Sequence, residues 1–442
     1  MQKNTKMTIE DLYKLFQQHP IVTTDSRDVP EGSLFFALKG DTFNGNAYAK
    51  SALEKGAAYA IIDEMEYAEE GNERIILVDD ALTALQQLAH LHRTTLGTTI
   101  IGVTGTNGKT TTKELIASVL KKKYRVLYTQ GNFNNHIGVP KTLLQLTKDH
   151  QIAVVEMGAN HPGEIKTLVN IVCPDYGIIT NVGKAHLLGF GSFAGVIRTK
   201  GELYDYLREN HGTAFINNDN PHLKGISAGL RLIRYGQNDA DGLLVKGSLI
   251  ECNPMLKFRW SPQPTQFSPY EVQTHLIGSY NLDNVLAAAC IGTLFAVPAE
   301  DISHALAEYV PSNNRSQLTV TEHNKLVVDA YNANPTSMKA ALDNFSLIKA
   351  EHKMCILGDM KELGEASHDE HQKIVDLIPS CGFEEVWLVG DEFANTSHPD
   401  TFRLFANVDE VKAAISEHQP QGHVILIKGS NSTHLVQTVD LL

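Results

Sequence analysis

The chain has 442 residues, 42% apolar and 20% charged, with 38 Lys and Arg against 51 Asp and Glu for a formal charge of −13. Those values describe an ordinary folded protein of two to four domains, and they exclude the large basic face that a nucleic-acid footprint needs. The five cysteines, Cys173, Cys252, Cys290, Cys355 and Cys381, are scattered and contain no C-x-x-C, which reads as reduced thiols and not as a disulfide or zinc framework.

The opening stretch "MQKNTKMTIEDLYKLFQQHP" lacks the apolar core of a signal peptide. The longest apolar run, Val285 to Val297, is too short to span a bilayer and reads as a buried helix. The expectation is a cytosolic protein without membrane insertion. Residues 1–97 alternate short strands ("LFFALKG", "AAYAIID", "RIILVDD") with helical stretches such as "AYAKSALEKG", a small α/β module.

From "TTIIGVTG" onward the rhythm is strand then helix. A strand leads to Gly105 and a helix runs from Lys109 to about Lys122. The strands "RVLYT", "IAVVEMG", "YGIITNVG" and "AFINND" follow, separated by helices that include "SFAGVIRTKGELYDYLREN". Continuous apolar strands alternating with helices predict a mostly parallel sheet covered on both faces. Residues 231–275 are polar and Pro-bearing, which predicts a peripheral antiparallel extension, and a helix follows from about Tyr280 to Phe295. A fresh set, "KLVVDA", "KMCILGDM", "EVWLVG" and "HVILIKGS", comes after "VPSNNRSQ". The expected architecture is therefore α/β with three domains: 1–97, 98–310 and a Rossmann-like 311–442.

"GVTGTNGKTTTKEL", Gly102 to Leu115, falls between an apolar strand and a helix, where a phosphate-binding loop belongs. It departs from G-x-x-x-x-G-K-[ST], because Val103 stands where the first glycine is expected. Gly105 and Gly108 can adopt backbone conformations closed to other residues. The N–H groups of the turn then point at an anion, with Lys109 able to reach the β- and γ-phosphates and the Thr110 hydroxyl able to ligate Mg²⁺. No N-K-x-D accompanies the loop, so a GTPase switch is disfavoured.

Three further residues stand where a doubly wound sheet places its ligands, or close by. Glu156 ends the strand of "VVEMGANHPGEI", and a carboxylate beside a phosphate loop is a good Mg²⁺ ligand, although many such carboxylates are rim residues. His186 lies just past the strand of "IITNVGKAHLLGFGS", and histidine is not a preferred Mg²⁺ ligand. Lys200 in "RTKGELYDYL" has Val196, Ile197, Leu203 and Tyr204 around it, and composition alone favours a snorkelling side chain.

Together "GTNGKTT", "VEMGANHPGEI", "NVGKAHLLGFGS", "IRTKGE", "LIGSYNLDNVLAA", "NRSQ" and "DAYNANP" occur in an order that resembles the ATP-dependent Mur ligases of peptidoglycan synthesis. The loop T-G-T-N-G-K-T is that superfamily's own variant, shared with folylpolyglutamate synthases. "GNFNNHIGVPKTLL", "EMGANHPGEI", "DAYNANPTSM" and "LGDMKELG" look like the dipeptide-adding members. The resemblance spans all three domains.

It implies a monomeric cytoplasmic enzyme that joins D-Ala-D-Ala to UDP-N-acetylmuramoyl-tripeptide through an acyl phosphate, using ATP and two Mg²⁺. It makes Gly105, Thr106, Asn107, Gly108, Lys109, Thr110, Thr111, Asn281 (adenine side), Arg315 and Asp329 the ATP residues. It assigns Thr110, Glu156, His186 and a carbamylated Lys200 to the metals. The UDP-linked acceptor would meet Ser26, Arg27, and the turn from Asp41 to Asn46, where relatives often carry D-G-H and this chain has "FNGNAY". Asn134, Asn135, Asn160 and His161 would line the path of its peptide. Tyr331, Asn332 and Lys428 would serve the dipeptide or domain closure. Relatives commonly have Arg after "KGS", and this chain has Asn431. Folylpolyglutamate synthase, a single-amino-acid Mur ligase and a non-catalytic nucleotide-binding protein on the same fold remain the competing readings.

Overall fold

The computed structural model describes residues 7–264, 268–311 and 317–442. Arg315 lies outside the described residues. The contacts divide the chain into two compact units, residues 1–103, 124–158 and 164–177 in the first, and 104–123, 159–163 and 178–442 in the second. This grouping keeps the strand before the phosphate loop with the N-terminal module.

In the first unit, Val22–Thr23, Leu34–Phe36, Tyr59–Ile62 and Ile75–Leu77 form a parallel sheet in that order. Phe35, Ala37, Ala60 and Ile62 pack against Ala49, Ala52 and Leu53 of the helix Ala49–Glu54. Lys39–Gly40 and Phe43–Asn44 pair as a small separate hairpin. The helix Ala81–Leu96 starts on Asp80, whose carboxylate accepts from Thr83 N, and ends at Gly97 in the left-handed region. Its Arg93 donates to the carbonyls of Val172 and Cys173, both at 2.8 Å, and to Asp175 at 3.1 Å. These bonds tie it to the layer built on the parallel strands Thr99–Thr104, Ile152–Glu156 and Val126–Tyr128. Register sets Glu156 opposite Val103, two residues before Gly105.

In the second unit, Thr213–Asn217, Arg231–Gly236 and Leu243–Cys252 run parallel, and Met255–Pro262 and Tyr270–Ile277 complete an antiparallel meander. The extension predicted for 231–275 is thus antiparallel from Leu243 onward, with the first strand parallel. It is less peripheral than expected: Phe258 and Trp260 are fully buried. The polar residues that suggested a surface segment alternate with these apolar ones, so only one face is wet. The helix Asn281–Leu294 is buried almost all round and contacts both this meander and the helix Lys109–Lys121.

The C-terminal sheet has the order Gln317–Val320, Lys325–Asp329, His423–Lys428, His352–Gly358, Glu385–Val389 and Arg403–Phe405. Only the first strand is antiparallel. Separate clusters on its two faces, one around Met338, Leu342 and Leu357 and the other around Ile356, Trp387 and Ile425, make it a doubly wound layer. Asp329 and Lys428 are register partners at its carboxyl edge, and ligand-facing loops leave a parallel sheet at that edge.

Trp260→Ala is expected to remove about 3–5 kcal/mol from the unfolding transition that includes the meander. Urea unfolding followed by far-UV circular dichroism measures it, and an unchanged midpoint would contradict the packing described.

Candidate active site

The phosphate loop is shaped by its neighbours. Gly105 has φ +144° and Gly108 φ +75°, and a Cβ on Gly105 would overlap the Thr180 hydroxyl. Asn107 N donates to Asn181 Oδ1 at 2.9 Å, and its carbonyl accepts from Asn181 Nδ2 at 2.9 Å and Thr180 Oγ1 at 2.6 Å. Thr106 N donates to the Asn181 carbonyl at 3.0 Å, and Gly183 N donates to Thr106 Oγ1 at 2.9 Å. Gly108, the N-cap of the helix that starts at Lys109, brings no side chain to cap it. The open end of its dipole faces the loop, where an anion is favoured. Lys109 Nζ folds over the loop onto the carbonyls of Gly105 and Thr106, both at 2.9 Å. Thr110 is buried and Thr111 half-buried on the first helical turn.

Asn281 and Asn284 brace this helix. Thr112 Oγ1 donates to Asn284 Oδ1 at 3.0 Å, Asn284 Nδ2 to Asn281 Oδ1 at 2.9 Å, and Asn281 Nδ2 to the Ile277 carbonyl at 2.8 Å. Asn281, expected on the adenine side, is buried at the far end of this chain of amides.

His186, at φ +49°, opens the short helix Leu187–Phe190. Its Nδ1 donates to Glu362. Burial pushes its pKa below the ordinary value against the pull of Glu362, with the ammonium groups of Lys109 and Lys200 adding to the depression. Lys200 does not snorkel. It is buried, donates to the Ala159 carbonyl at 3.1 Å, and lies 5.3 Å above the Phe190 ring. Asn160 and His161 follow Ala159 and are exposed. The second unit thus gathers the loop, His186 and Lys200 into one neighbourhood.

The same unit holds a cleft of about 380 Å³ lined by Ala185, His186, Tyr331–Asn334, Lys361, Glu362 and Ser430–Ser432. Lys428 is buried, with Nζ 2.5 Å from Asp329 Oδ2 and 3.5 Å from the Asn332 carbonyl. Asp359, 1% exposed, anchors the opposite wall. It accepts from Lys361 Nζ at 3.0 Å, Phe393 N at 3.1 Å and Glu392 N at 3.3 Å. Met360 N donates to His371 Nε2 at 3.0 Å while His371 Nδ1 donates to the Ser367 carbonyl at 2.8 Å, which fixes a neutral tautomer. Lys184 bridges this seam twice. Lys184 N donates to Thr336 Oγ1 at 3.0 Å, and Lys184 Nζ meets Glu370 at 2.7 Å. Burial opposes ionisation of Glu370, but Lys184 and Lys373 hold its pKa below the usual value.

In the first unit, the Glu156 carboxylate is buried and accepts from Asn134 Nδ2 at 2.8 Å. Asn135 caps the turn after it through Ile137 N and Gly138 N. Ser26, Arg27 and Asp41 lie on the surface of the small module, with Arg27 paired to Asp25 in its own turn. Asn46 is 1% exposed. Its amide donates to Asn44 and Asp63 and accepts from Asp63 N, which fixes the hairpin. Asn181, Asn284 and Asn334 lie inside strings that the sequence had already singled out, but nothing local distinguishes these asparagines from their neighbours.

The chain matches the Mur ligase family catalytic domain over residues 20–93, the Mur ligase middle domain over 103–292, and the Mur ligase glutamate ligase domain over 314–431. UDP-N-acetylmuramoyl-tripeptide–D-alanyl-D-alanine ligase of Bacillus subtilis is 35% identical over 95% of this chain and 92% of its own. MurF of Acinetobacter baumannii superposes with TM-score 0.84 at 28% identity, covering 97% of this chain and 98% of its own. MurF ligase of Thermotoga maritima in complex with ADP does so with TM-score 0.83 at 26% identity, covering 95% and 96%.

Gly105→Ala forces φ +144° on an L-residue and meets Thr180, and is expected to weaken ATP binding at least about 10-fold, read by isothermal titration calorimetry. A second expectation concerns His371, fully buried, with its pKa held below the ordinary 6.5 mainly by burial, against the pull of Ser367, Asp359 and Glu392 and with a further push from Lys361. The unfolded chain protonates this site first, so stability present above pH 6.5 is lost as pH falls toward the lower folded value. Melting temperatures between pH 7.5 and 5 should fall less steeply for His371→Gln than for the unsubstituted protein, and parallel curves would refute this.

With all three family domains matched and full-length relatives above 30% identity, the chain belongs to the Mur ligase family, in the branch of the UDP-N-acetylmuramoyl-tripeptide–D-alanyl-D-alanine ligases.

Proposed function

We propose that this chain is the ATP-dependent ligase that joins D-Ala-D-Ala to UDP-N-acetylmuramoyl-tripeptide, forming a C–N peptide bond. The observation that carries the reading is near-full-length identity to ligases of that one name, the Bacillus subtilis enzyme at 35% among them. The domain division 1–97, 98–310 and 311–442 corresponds on this reading to acceptor, ATP and dipeptide functions. The enzyme works in the cytoplasm as a monomer, and among the described residues no helix is long and apolar enough to cross a membrane.

Joining a carboxylate to an amine in water needs an activated acyl group. The acceptor carboxylate oxygen attacks the γ-phosphorus, the bond to the β-phosphate oxygen breaks, and ADP leaves. The dipeptide amine then attacks the acyl carbon and phosphate leaves. The loop N–H groups and Lys109 hold the triphosphate and neutralise the transferring phosphoryl group. What supports this role for Lys109 is that its Nζ rests on the Gly105 and Thr106 carbonyls of the loop. Asp329 takes the ribose and Arg315 a phosphate.

The hard oxygens of Thr110 and Glu156 suit Mg²⁺, and Asn134 orients the Glu156 carboxylate. Mg²⁺ would supply charge neutralisation at the phosphates. His186, as the third protein donor, would exchange Glu362 for the metal. Lys200, as a carbamate formed from its neutral amine and CO₂ with loss of a proton, would give a buried carboxylate for a second Mg²⁺. Its burial fits that assignment, because desolvation favours the neutral amine. Ser26, Arg27, Asp41 and Asn46 receive the UDP end, and the Asn46 amide also holds their module in shape. Asn134, Asn135, Asn160 and His161 follow the peptide, and Tyr331, Asn332 and Lys428 serve the dipeptide side.

The test is phosphate release with ATP, Mg²⁺ and UDP-N-acetylmuramoyl-tripeptide, with and without D-Ala-D-Ala. Release should require the dipeptide, and the product should gain its mass less water. Lys109→Ala should lower kcat/KM by about 10²-fold or more, and activity of the unsubstituted enzyme should fall in CO₂-free buffer and return with bicarbonate. Turnover with a single amino acid, or with folate and glutamate, would move the substrate. Silence with every acceptor would leave only a nucleotide-binding protein.

A further inference from the structure

The wall of the cleft from Tyr331 to Asn334 ends on a residue with more hydrogen-bonding capacity than its local role needs. Asn334 begins the helix Pro335–Ser346. Its Oδ1 accepts from Ser337 N at 2.9 Å, and its own N donates to Ser337 Oγ at 3.1 Å. Ser or Asp would cap as well, and capping uses only the side-chain oxygen. The Nδ2 group is surplus to the cap, and it donates to Asn107 Oδ1 at 2.8 Å. Asn107 Nδ2 returns a longer bond to Asn334 Oδ1 at 3.4 Å.

The same surplus holds on the other side. The loop's shape uses only the backbone of Asn107, through Asn181 and Thr180. Its side chain is thereby committed to the C-terminal wall. Gly108 and Lys109, next in sequence, carry N–H groups of the phosphate site. Asn334 is 4% exposed and lines the cleft, so a pair of facing amides joins the cleft directly to the phosphate loop.

We propose that the Asn107–Asn334 amide pair is a positioning device that couples occupancy of the dipeptide cleft to the geometry of the phosphate loop. The inference rests on the ligase reading above. A donor filling the cleft fixes the wall Tyr331–Asn334 and with it the Asn334 amide. That amide in turn holds Asn107 in the arrangement that aims the following N–H groups at the triphosphate. By linkage, nucleotide on the loop strengthens donor binding by the same factor.

The experiment measures D-Ala-D-Ala affinity of the full chain by calorimetry, with and without a non-hydrolysable ATP analogue and Mg²⁺. The analogue should tighten the dipeptide by about 5–150-fold in the unsubstituted protein. Asn334→Ser keeps the cap oxygen but cannot reach Asn107, and should bring that factor close to one. Asn107→Ala, which leaves the cap intact, should do the same, and the double variant should lose nothing further. Lys184→Ala, which cuts a neighbouring bridge of the same seam, should keep the factor. Melting temperatures identify any variant that fails to fold, and the variant on the opposite side then decides. No coupling in the unsubstituted protein, coupling that survives Asn334→Ser and Asn107→Ala, or equal loss in Lys184→Ala would each overturn the proposal. If the unsubstituted protein does not turn over D-Ala-D-Ala at all, the ligase reading itself fails. If it does, and the factor ignores the pair, only this inference fails.

Discussion

The phosphate loop depends on one side chain, Asn181, whose amide closes on both the N–H and the C=O of Asn107. A loop with two glycines at positive φ loses more conformational freedom on ordering than most turns. Its backbone polar groups also need partners once they are half-buried. Asn181 and Thr180 supply those partners from the loop that follows the strand Tyr176–Ile179. The protein's own groups therefore shape the loop, and Gly108 at the N-cap of the helix beginning at Lys109 brings no side chain to it. Ordering costs met during folding do not have to be met again on binding. The amide chain Asn281–Asn284–Thr112 secures the same helix from its other side.

The cleft wall built on Asp359 solves a different problem. A carboxylate at 1% exposure is tolerable only with hydrogen-bonding partners. Two backbone N–H groups and Lys361 provide them. His371 holds the adjoining backbone as a neutral acceptor, a role that fails on protonation because the ring would then present a second N–H to Met360 N. The result is a fixed turn that sets Lys361 and Glu362 along the cleft, with Glu362 reaching His186. The lining of the cleft is thus held by a scaffold one layer behind it.

Much of this was legible from periodicity. The apolar strands of both parallel layers, the helices that follow them, and the loop at Gly105–Lys109 occur where alternation and glycine placement put them. The short edge strands Val22–Thr23, Gln317–Val320 and Arg403–Phe405 were not, because two to four residues carry too little pattern. Lys200 misled for a different reason. Apolar neighbours on a helix suit both a snorkelling lysine and a buried one, and only the tertiary partners, Ala159 and Phe190, decide between them. Asn46 and Asn281 are expected as ligand contacts from their motifs, and each amide also makes hydrogen bonds inside the fold. An asparagine can serve either purpose, and sequence does not show which way its amide faces.

The Asn107–Asn334 pair puts neutral groups where the loop meets the C-terminal wall. A neutral hydrogen bond contributes a net of about 0.5–1.5 kcal/mol, small enough to be made and broken within a catalytic cycle. A buried ion pair in the same place would cost far more to separate, since each charge would be left without its partner. The Lys184–Glu370 ion pair of the seam has its lysine 44% exposed, so water can take over that charge. A nucleotide site that must accept a triphosphate and release a diphosphate gains from contacts of this strength. They are specific enough to fix direction and weak enough not to trap the product.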